Sequence, residues 1–307
     1  MTVPTLSLAR FTHGTPAERA GFEAALLTGL KRFGFVILTD HGVPIPLIER
    51  AYALAAEFFA SDETIKRRFA CGMRGYTPFG TEHARDSHVP DLKEFWQVGR
   101  EVAPANAPEG DFPPNVWPES PAEFRATFIE LFAALDTAGQ ALLSALAPGL
   151  GLGPDAFQPM VQDGTSILRV LHYPPVPDDA PAGAVRSAAH EDINFLTLLV
   201  AAKGAGLQLL DRDGRWLPVE TEPTNLIVDS GDMMQRLTGG IIPSTTHRVV
   251  NPSGPNVSRY SMPFFMHPAS HVSLATLPSC LGGPKVQPPI SAGDFLAERL
   301  REIGLAV

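Results

Sequence analysis

Two textures divide the chain. After Asp163, apolar residues fall into short β-type runs separated by turn formers: Ile167–Tyr173, Phe195–Val200, Leu207–Leu210, Leu226–Val228, Arg248–Val250 and Tyr260–Met266. Such spacing predicts a sandwich, jelly roll or barrel rather than repeated βαβ units. Before Asp163 the periods are mixed. Gly34-Phe-Val-Ile-Leu38 is a brief apolar run closed by Thr39-Asp-His-Gly42, which predicts a strand and a tight turn. From Pro46 to Phe59, apolar residues at Ile48, Ala51, Tyr52, Ala55, Ala56 and Phe59 follow helical spacing. Ser61-Asp-Glu-Thr64 offers a hydroxyl cap and first-turn acids for a second, short helix. Residues 71–118 are rich in turn formers, with Phe95 and Trp96 as anchors. Ser120-Pro-Ala-Glu123 reads as a capping box opening a long helix to about Ala147. A closing helix starts at Ser291, with Asp294 three residues on. The regions expected are 1–118, a long helix and connection at 119–162, a strand-rich region at 163–267 and an extension with a helix at 268–307, packed as one compact unit.

Composition narrows the function. The 307 residues are 44% hydrophobic and 19% charged, with 30 prolines and 27 glycines scattered without period, which excludes collagen and wholesale disorder. Net charge is −9, and the one tight basic cluster, Lys66-Arg67-Arg68, is assigned to a solvated helix face, so nucleic acid is not an expected partner. Two cysteines, Cys71 and Cys280, are too few for a disulfide scaffold or a thiolate zinc site. The N-terminal residues lack a basic segment followed by an apolar stretch, and no run approaches the roughly 20 apolar residues of a membrane helix. A cytoplasmic protein with no membrane partner is expected. Gly151-Leu-Gly-Pro-Asp-Ala156 matches a dinucleotide fingerprint formally, but it follows a helix and reads as helix termination. Walker A, GxSxG and HExxH sequences are absent.

His190-Glu-Asp192 passes directly into a β-type run. Residues two apart on an extended chain share a side, so His190 and Asp192 can converge on one ion while Glu191 points away. Alone the pair says little: nine histidines, each with about one chance in ten of an acid two residues on, supply roughly one such match. A histidine and an acid hydrogen-bonded at a strand end is the plainer alternative. His247 shifts the balance. It stands 55 residues after Asp192 at the mouth of another β-type run, where a second imidazole can complete a facial triad with one carboxylate. Such a triad suits Fe(II) and leaves coordination positions open. Arg259-Tyr-Ser261 follows twelve residues later, with a guanidinium and a hydroxyl on one strand face, suited to gripping a carboxylate.

These residues carry a resemblance. Gly34–Val43, Gly75-Tyr76, Asp91-Leu-Lys-Glu-Phe-Trp96, Tyr173-Pro-Pro175, His190-Glu-Asp192, Leu196-Thr-Leu-Leu199, Gly206-Leu-Gln208, Gly231-Asp232, His247-Arg-Val-Val250 and Arg259-Tyr-Ser261 stand in the order and spacing of one family. The chain resembles the isopenicillin N synthase-like branch of the Fe(II)- and 2-oxoglutarate-dependent oxygenases over most of its length. The resemblance implies a double-stranded β-helix (jelly-roll) core with flanking helices, a mixed α and β fold. It implies iron ligation by His190, Asp192 and His247. Arg259 and Ser261 would hold the distal carboxylate of the co-substrate, helped by Tyr173. It also implies a dioxygenase that uses dioxygen to oxidise a small molecule, by hydroxylation or related C–H oxidation, and releases succinate and CO2. Three departures argue against transferring a plant enzyme's substrate: Leu171 where many plant members have asparagine, Gly239-Gly240 in place of Asn-Gly, and Asn194 where glycine is frequent.

Arg169 shares a strand face with Leu171 and Tyr173. Looking into the barrel it would favour an acidic or carboxylated substrate; equally, it can serve a structural ion pair. Phe95, His88, His83 and Arg85 come from the loop-rich segment that would cover the cavity, and Phe95 and His88 join Arg169 as substrate-side candidates. Two rival readings remain at this stage: an iron-dependent oxidase of the same fold that needs no 2-oxoglutarate, and a non-catalytic metal-binding jelly-roll module.

Overall fold

The structure, a computed structural model, describes residues 2–83 and 89–302. The first half of the chain forms β1 (Thr5–Ser7), α1 (Ala9–Thr12), α2 (Pro16–Phe33), β2 (Phe35–Thr39), α3 (Ile45–Phe59), α4 (Glu63–Lys66), β3 (Gly75–Thr77), β4 (Glu94–Gly99), α5 (Phe124–Leu146) and α6 (Gln158–Val161). The second half forms β5 (Ile167–Tyr173), β6 (Ser187–His190), β7 (Leu196–Lys203), β8 (Leu207–Leu210), β9 (Trp216–Pro218), β10 (Leu226–Ser230), α7 (Asp232–Leu237), β11 (His247–Val249), β12 (Arg259–Met266) and α8 (Ala292–Glu302). Strands in the order β1-β2-β10-β7-β12-β5-β4-β3 make an eight-stranded sheet, and β6-β11-β8-β9 make a four-stranded one.

The pleat assigns each strand residue to one of two apolar cores. Val36, Leu38, Leu168, Val170, Leu198 and Phe264 point outward and pack with residues of α2, α3 and α5 such as Leu26, Phe58, Phe128 and Leu142. Their alternates Phe35, Ile37, Leu171 and Ile227 point inward and meet Leu207, Leu209 and Val249 of the smaller sheet. The two sheets therefore close on each other as a jelly roll, with α2, α3 and α5 packed on the outer face of the larger one.

Helix α5 is long and apolar enough, by length and composition, to cross a membrane. The run expected to be absent is thus present as a core helix. Its residues Phe128, Leu131, Leu135 and Leu142 are sealed in the outer core, and Phe132 meets Phe264 of β12 edge-on at 5.0 Å.

The expected capping box at Ser120 does not form. Phe124 N–H donates to the Pro121 carbonyl at 3.0 Å, the helix begins at Phe124, and Glu123 borders it without a side-chain cap. Packing sets this start: the Phe124 ring lies 5.4 Å from Phe58 and 5.3 Å from Trp96. The same residue pattern does work at Thr15-Pro-Ala-Glu18. There the Thr15 hydroxyl accepts from Glu18 N–H and the Glu18 carboxylate accepts from Thr15 N–H, opening α2. Similarly, α4 is bordered by Asp62 rather than Ser61.

The basic cluster also differs from expectation. Arg67 and Arg68 are exposed, but Lys66 is buried, 2.7 Å from Glu94, which also takes His172 Nδ1 at 2.7 Å and the Tyr76 hydroxyl. A buried glutamate needs a counter-charge, and that demand pulls Lys66 off the surface. Within the segment read as loops, β4 is a full inner strand of the sheet, paired with β5.

Thr15→Ala should lower unfolding free energy by about 1 kcal/mol, whereas exposed Ser120→Ala should stay within about 0.5 kcal/mol. Urea denaturation of the two variants checks this.

Candidate active site

β6 and β11 are neighbours, and their register sets His190 opposite His247. The two ring centroids lie 4.4 Å apart. Asp192, two residues past His190, turns inward, with Oδ1 3.8 Å from His190 Nε2 and 3.9 Å from His247 Nε2. One ligand atom from each of the three falls within 4.8 Å of the others. Each histidine commits its Nδ1 to a carbonyl two residues upstream, Ala188 at 2.8 Å and Thr245 at 3.2 Å. That bond puts the proton on Nδ1 and leaves the Nε2 lone pair facing Asp192. Glu191 points away, exposed and bonded by the Thr246 hydroxyl.

The Asp192 loop is held from several sides. The Thr197 hydroxyl donates to its carboxylate, and Asn194, fully buried, donates to Thr197 at 2.9 Å. Asn194 thus has a task at a position where glycine is frequent in the family resembled. Asp232 N–H donates to the Asp192 carbonyl at 2.7 Å. A Cβ on Gly231 would stand 2.7 Å from that carbonyl oxygen and 2.4 Å from the Asn194 one, so only glycine lets the two backbones meet. Burial pushes the Asp192 carboxyl up, but the imidazoles of His247 and His190 and the Thr197 hydroxyl more than offset it, so it stays ionised. Asp229, beside it, is pushed well above the ordinary range, first by burial and then by the Asp192 charge. It is a neutral acid able to donate to Asp192, a residue the sequence reading passed over.

β12 and β5 build the next part of the cavity wall. Arg259 pairs with Tyr173 and Ser261 with Leu171 across the ladder. The guanidinium lies 5.0 Å from the Tyr173 ring and donates to Ser261 Oγ and the Gly204 carbonyl, both at 3.3 Å. Arg259 is 2% exposed, and among the described residues no carboxylate forms an ion pair with it. A buried guanidinium without an anion is costly, so the cavity is built for one to arrive.

Arg169 forms the ion pair that was one of the two expectations for it. It lines the same cavity as the triad and is also ion-paired, Nη1 lying 3.1 and 3.2 Å from the two Glu82 oxygens. Phe95 lies beneath it, ring centre 4.2 Å from the guanidinium carbon. Its contribution to the site is to support Arg169. His88 and Arg85 lie outside the described residues. Lys93, missed in the sequence as a cavity residue, lines it as well. The signal lay in Asp91-x-Lys93, an acid and a base close enough along the chain to pair, as they do at 2.8 Å.

Residues 164–268 match the 2OG-Fe(II) oxygenase superfamily, and residues 3–120 match the family described as non-haem dioxygenase in morphine synthesis N-terminal. The 2-oxoglutarate-dependent dioxygenase citB of Monascus ruber is 35% identical over 245 residues, which is 76% of this chain and 74% of that protein. The chain belongs to the Fe(II)- and 2-oxoglutarate-dependent oxygenase superfamily. A crystal structure of a 2OG-Fe(II) oxygenase family protein from Caulobacter crescentus superposes with a TM-score of 0.87 at 41% identity, covering 97% of this chain and 98% of that one. A full-length Neurospora crassa protein in complex with alpha-KG and thymine gives a TM-score of 0.87 at 26% identity, covering 97% and 96%.

This oxygenase is accordingly a 2-oxoglutarate-dependent dioxygenase that oxidises a small molecule, with iron as its metal. The 2-oxoglutarate-independent oxidase and the non-catalytic module give way to that reading. The donor set fits the metal: two neutral imidazoles and one carboxylate, with Nδ1 protons already engaged, present a single face of ligands. Unpaired Arg259 fits the dicarboxylic co-substrate in the same way.

His267 gives the site a pH signature. Burial lowers its pKa from the usual 6.5 to about 4, partly opposed by a bond to the Phe265 carbonyl and by Asp192. The unfolded chain therefore takes up this proton at higher pH than the folded one, so the stabilisation is full above about 6.5 and is lost as pH falls toward 4. Relative to His267→Gln, the wild type should lose on the order of 3 kcal/mol between pH 7 and 4. Urea titrations of the metal-free proteins at several pH values measure it, and parallel profiles would contradict it.

Proposed function

We propose that His190, Asp192 and His247 hold the ferrous ion, and that Arg259, Ser261 and Tyr173 hold the distal carboxylate of 2-oxoglutarate. The observation that carries this is the convergence, in one cavity, of three donor atoms within 4.8 Å and a buried arginine without an acid. Iron bound there supplies oxygen activation, coupled to oxidative decarboxylation of 2-oxoglutarate to succinate and CO2. The protein's own part is positional. Thr197 and Asp229 fix the Asp192 carboxylate, and the Ala188 and Thr245 carbonyls fix the imidazoles. Arg259 and Ser261 set the depth of the co-substrate, while Leu171, Leu207 and Val249 keep the cavity dry.

The substrate enters between this centre and Arg169, and its fate is hydroxylation or a related C–H oxidation. The Neurospora crassa protein, crystallised with thymine, supports a small polar substrate. A carboxylated substrate, the expectation for an unpaired interior arginine, loses its main support because Glu82 already supplies the counter-charge. Cys71, exposed, and Cys280, buried, are both free thiols, which supports a cytoplasmic setting.

His190→Ala and Asp192→Ala should abolish Fe(II)-dependent succinate release with the fold intact by circular dichroism. Arg259→Ala should raise the apparent KM for 2-oxoglutarate by about 100-fold, the contribution of one charge-assisted pair. Succinate assays with 2-oxoglutarate varied test all three; an unchanged KM in the arginine variant would remove the clamp from the proposal.

A further inference from the structure

The cavity contains more fixed charge than its metal ligands and clamp require. Arg169 and Lys93 both line it, and both are already matched. Glu82 contacts Arg169 through both oxygens and Lys93 Nζ at 2.7 Å, and Asp91 contacts Lys93 at 2.8 Å. Two cations face two anions, so among the described residues this wall is neutral. The acid is truly ionised: burial would raise Glu82, but Arg169 and Lys93 more than offset it and hold its pKa down to about 2.

Hydrogen-bonding capacity is not used up in the same way. An ammonium has three N–H groups, and Lys93 directs two to Glu82 and Asp91. Arg169 also donates to Gln97 Oε1 at 3.1 Å, and Phe95 and Phe265 hold the guanidinium from 4.2 and 5.5 Å. The wall is therefore rigid and uncharged overall, with the donors of Arg169 and Lys93 at the cavity and Glu82 and Asp91 bound to them as counter-ions.

We infer that Arg169 and Lys93, neutralised by Glu82 and Asp91, select a substrate that is uncharged at the end it presents to them and offers a hydrogen-bond acceptor there, as the carbonyl of an amide, lactam or ureide does, and that Glu82 sets the discrimination against carboxylates. This rests on the iron and 2-oxoglutarate positions proposed above. A carboxylate entering here gives up its hydration shell and finds no cation without an acid already bound to it. A neutral amide loses less on desolvation, and its carbonyl can accept the spare Lys93 proton.

The test uses the full-length, Fe(II)-loaded enzyme. Binding of 2-oxoglutarate, and its loss in Arg259→Ala, is measured first; its failure would overturn the site assignment rather than the selection. Matched probes then follow: nicotinamide against nicotinate, uracil against orotate, benzamide against benzoate, with benzylamine as a cation. Stimulated succinate release should favour the neutral member of each pair in the wild type. Glu82→Gln, which makes the wall positive, should shift the ratio at least about tenfold toward the carboxylate, and Arg169→Gln should shift it toward benzylamine. The double variant should return to neutral preference, a pattern of opposite signs that lost packing does not produce. The inference is overturned if carboxylates win in the wild type, if the ratios do not move in the single variants, or if no probe stimulates release from an enzyme that binds 2-oxoglutarate.

Discussion

The two-residue period of the strands is the constraint on which the rest depends. On β12, Arg259, Ser261, Pro263 and Phe265 face the cavity while Met262, Phe264 and Met266 face the helices. β7 divides in the same way, with Thr197 and Leu199 inward and Leu196 and Leu198 outward. A register slip of one residue would drive a guanidinium into the packing of α5 and turn a phenylalanine toward the metal ligands. The apolar seal between the large sheet and its helices thus protects chemistry on the sheet's other side. Its residues hold the register that keeps Arg259 and Ser261 on the cavity side, while the two histidines meet through the pairing of β6 with β11 in the smaller sheet.

Much of the interior charge is answered by its opposite. Lys66 answers Glu94 on the outer face of the sheet, and Lys93 and Arg169 answer Asp91 and Glu82 on the inner face. Among the described residues three buried arginines, Arg74, Arg186 and Arg259, form no ion pair with a carboxylate, and Arg259 is bonded to a hydroxyl and a carbonyl beside an aromatic face. What distinguishes Arg259 from the other two is that it lines the cavity that contains the triad, where an anion from solution can reach it. That is a sharper indicator than the Arg-x-Ser spacing alone.

Much of this was legible in the sequence, where local pattern and tertiary demand agree. Ile167–Tyr173 and Leu207–Leu210 emerge as strands with the bounds read from their alternation, and Ser291 with Asp294 caps the last helix as their spacing implies. The misses share a cause. Thr15-Pro-Ala-Glu18 and Ser120-Pro-Ala-Glu123 are near-identical tetrads, yet only the first caps a helix. What separates them is the aromatic cluster that pins Phe124, and no window of four residues contains it. Lys66 reads as surface because its partner lies 28 residues away. Glu82 and Arg169, 87 apart, are invisible to each other along the chain. Long-range compensation of charge has no local signature.

The halves of the chain contribute different things to the reaction. Residues from β5 onward carry the proposed metal donors and clamp. Glu82, Lys93 and Asp91 come from the first hundred residues, where β4 inserts beside β5 and sets Gln97 opposite Arg169. Asp91 ties the two together. Its carboxylate accepts from Ala188 N–H at 2.9 Å, two residues before His190, while its other oxygen holds Lys93. Movement of the substrate wall is therefore movement of the strand that bears a metal donor, so the two cannot drift apart.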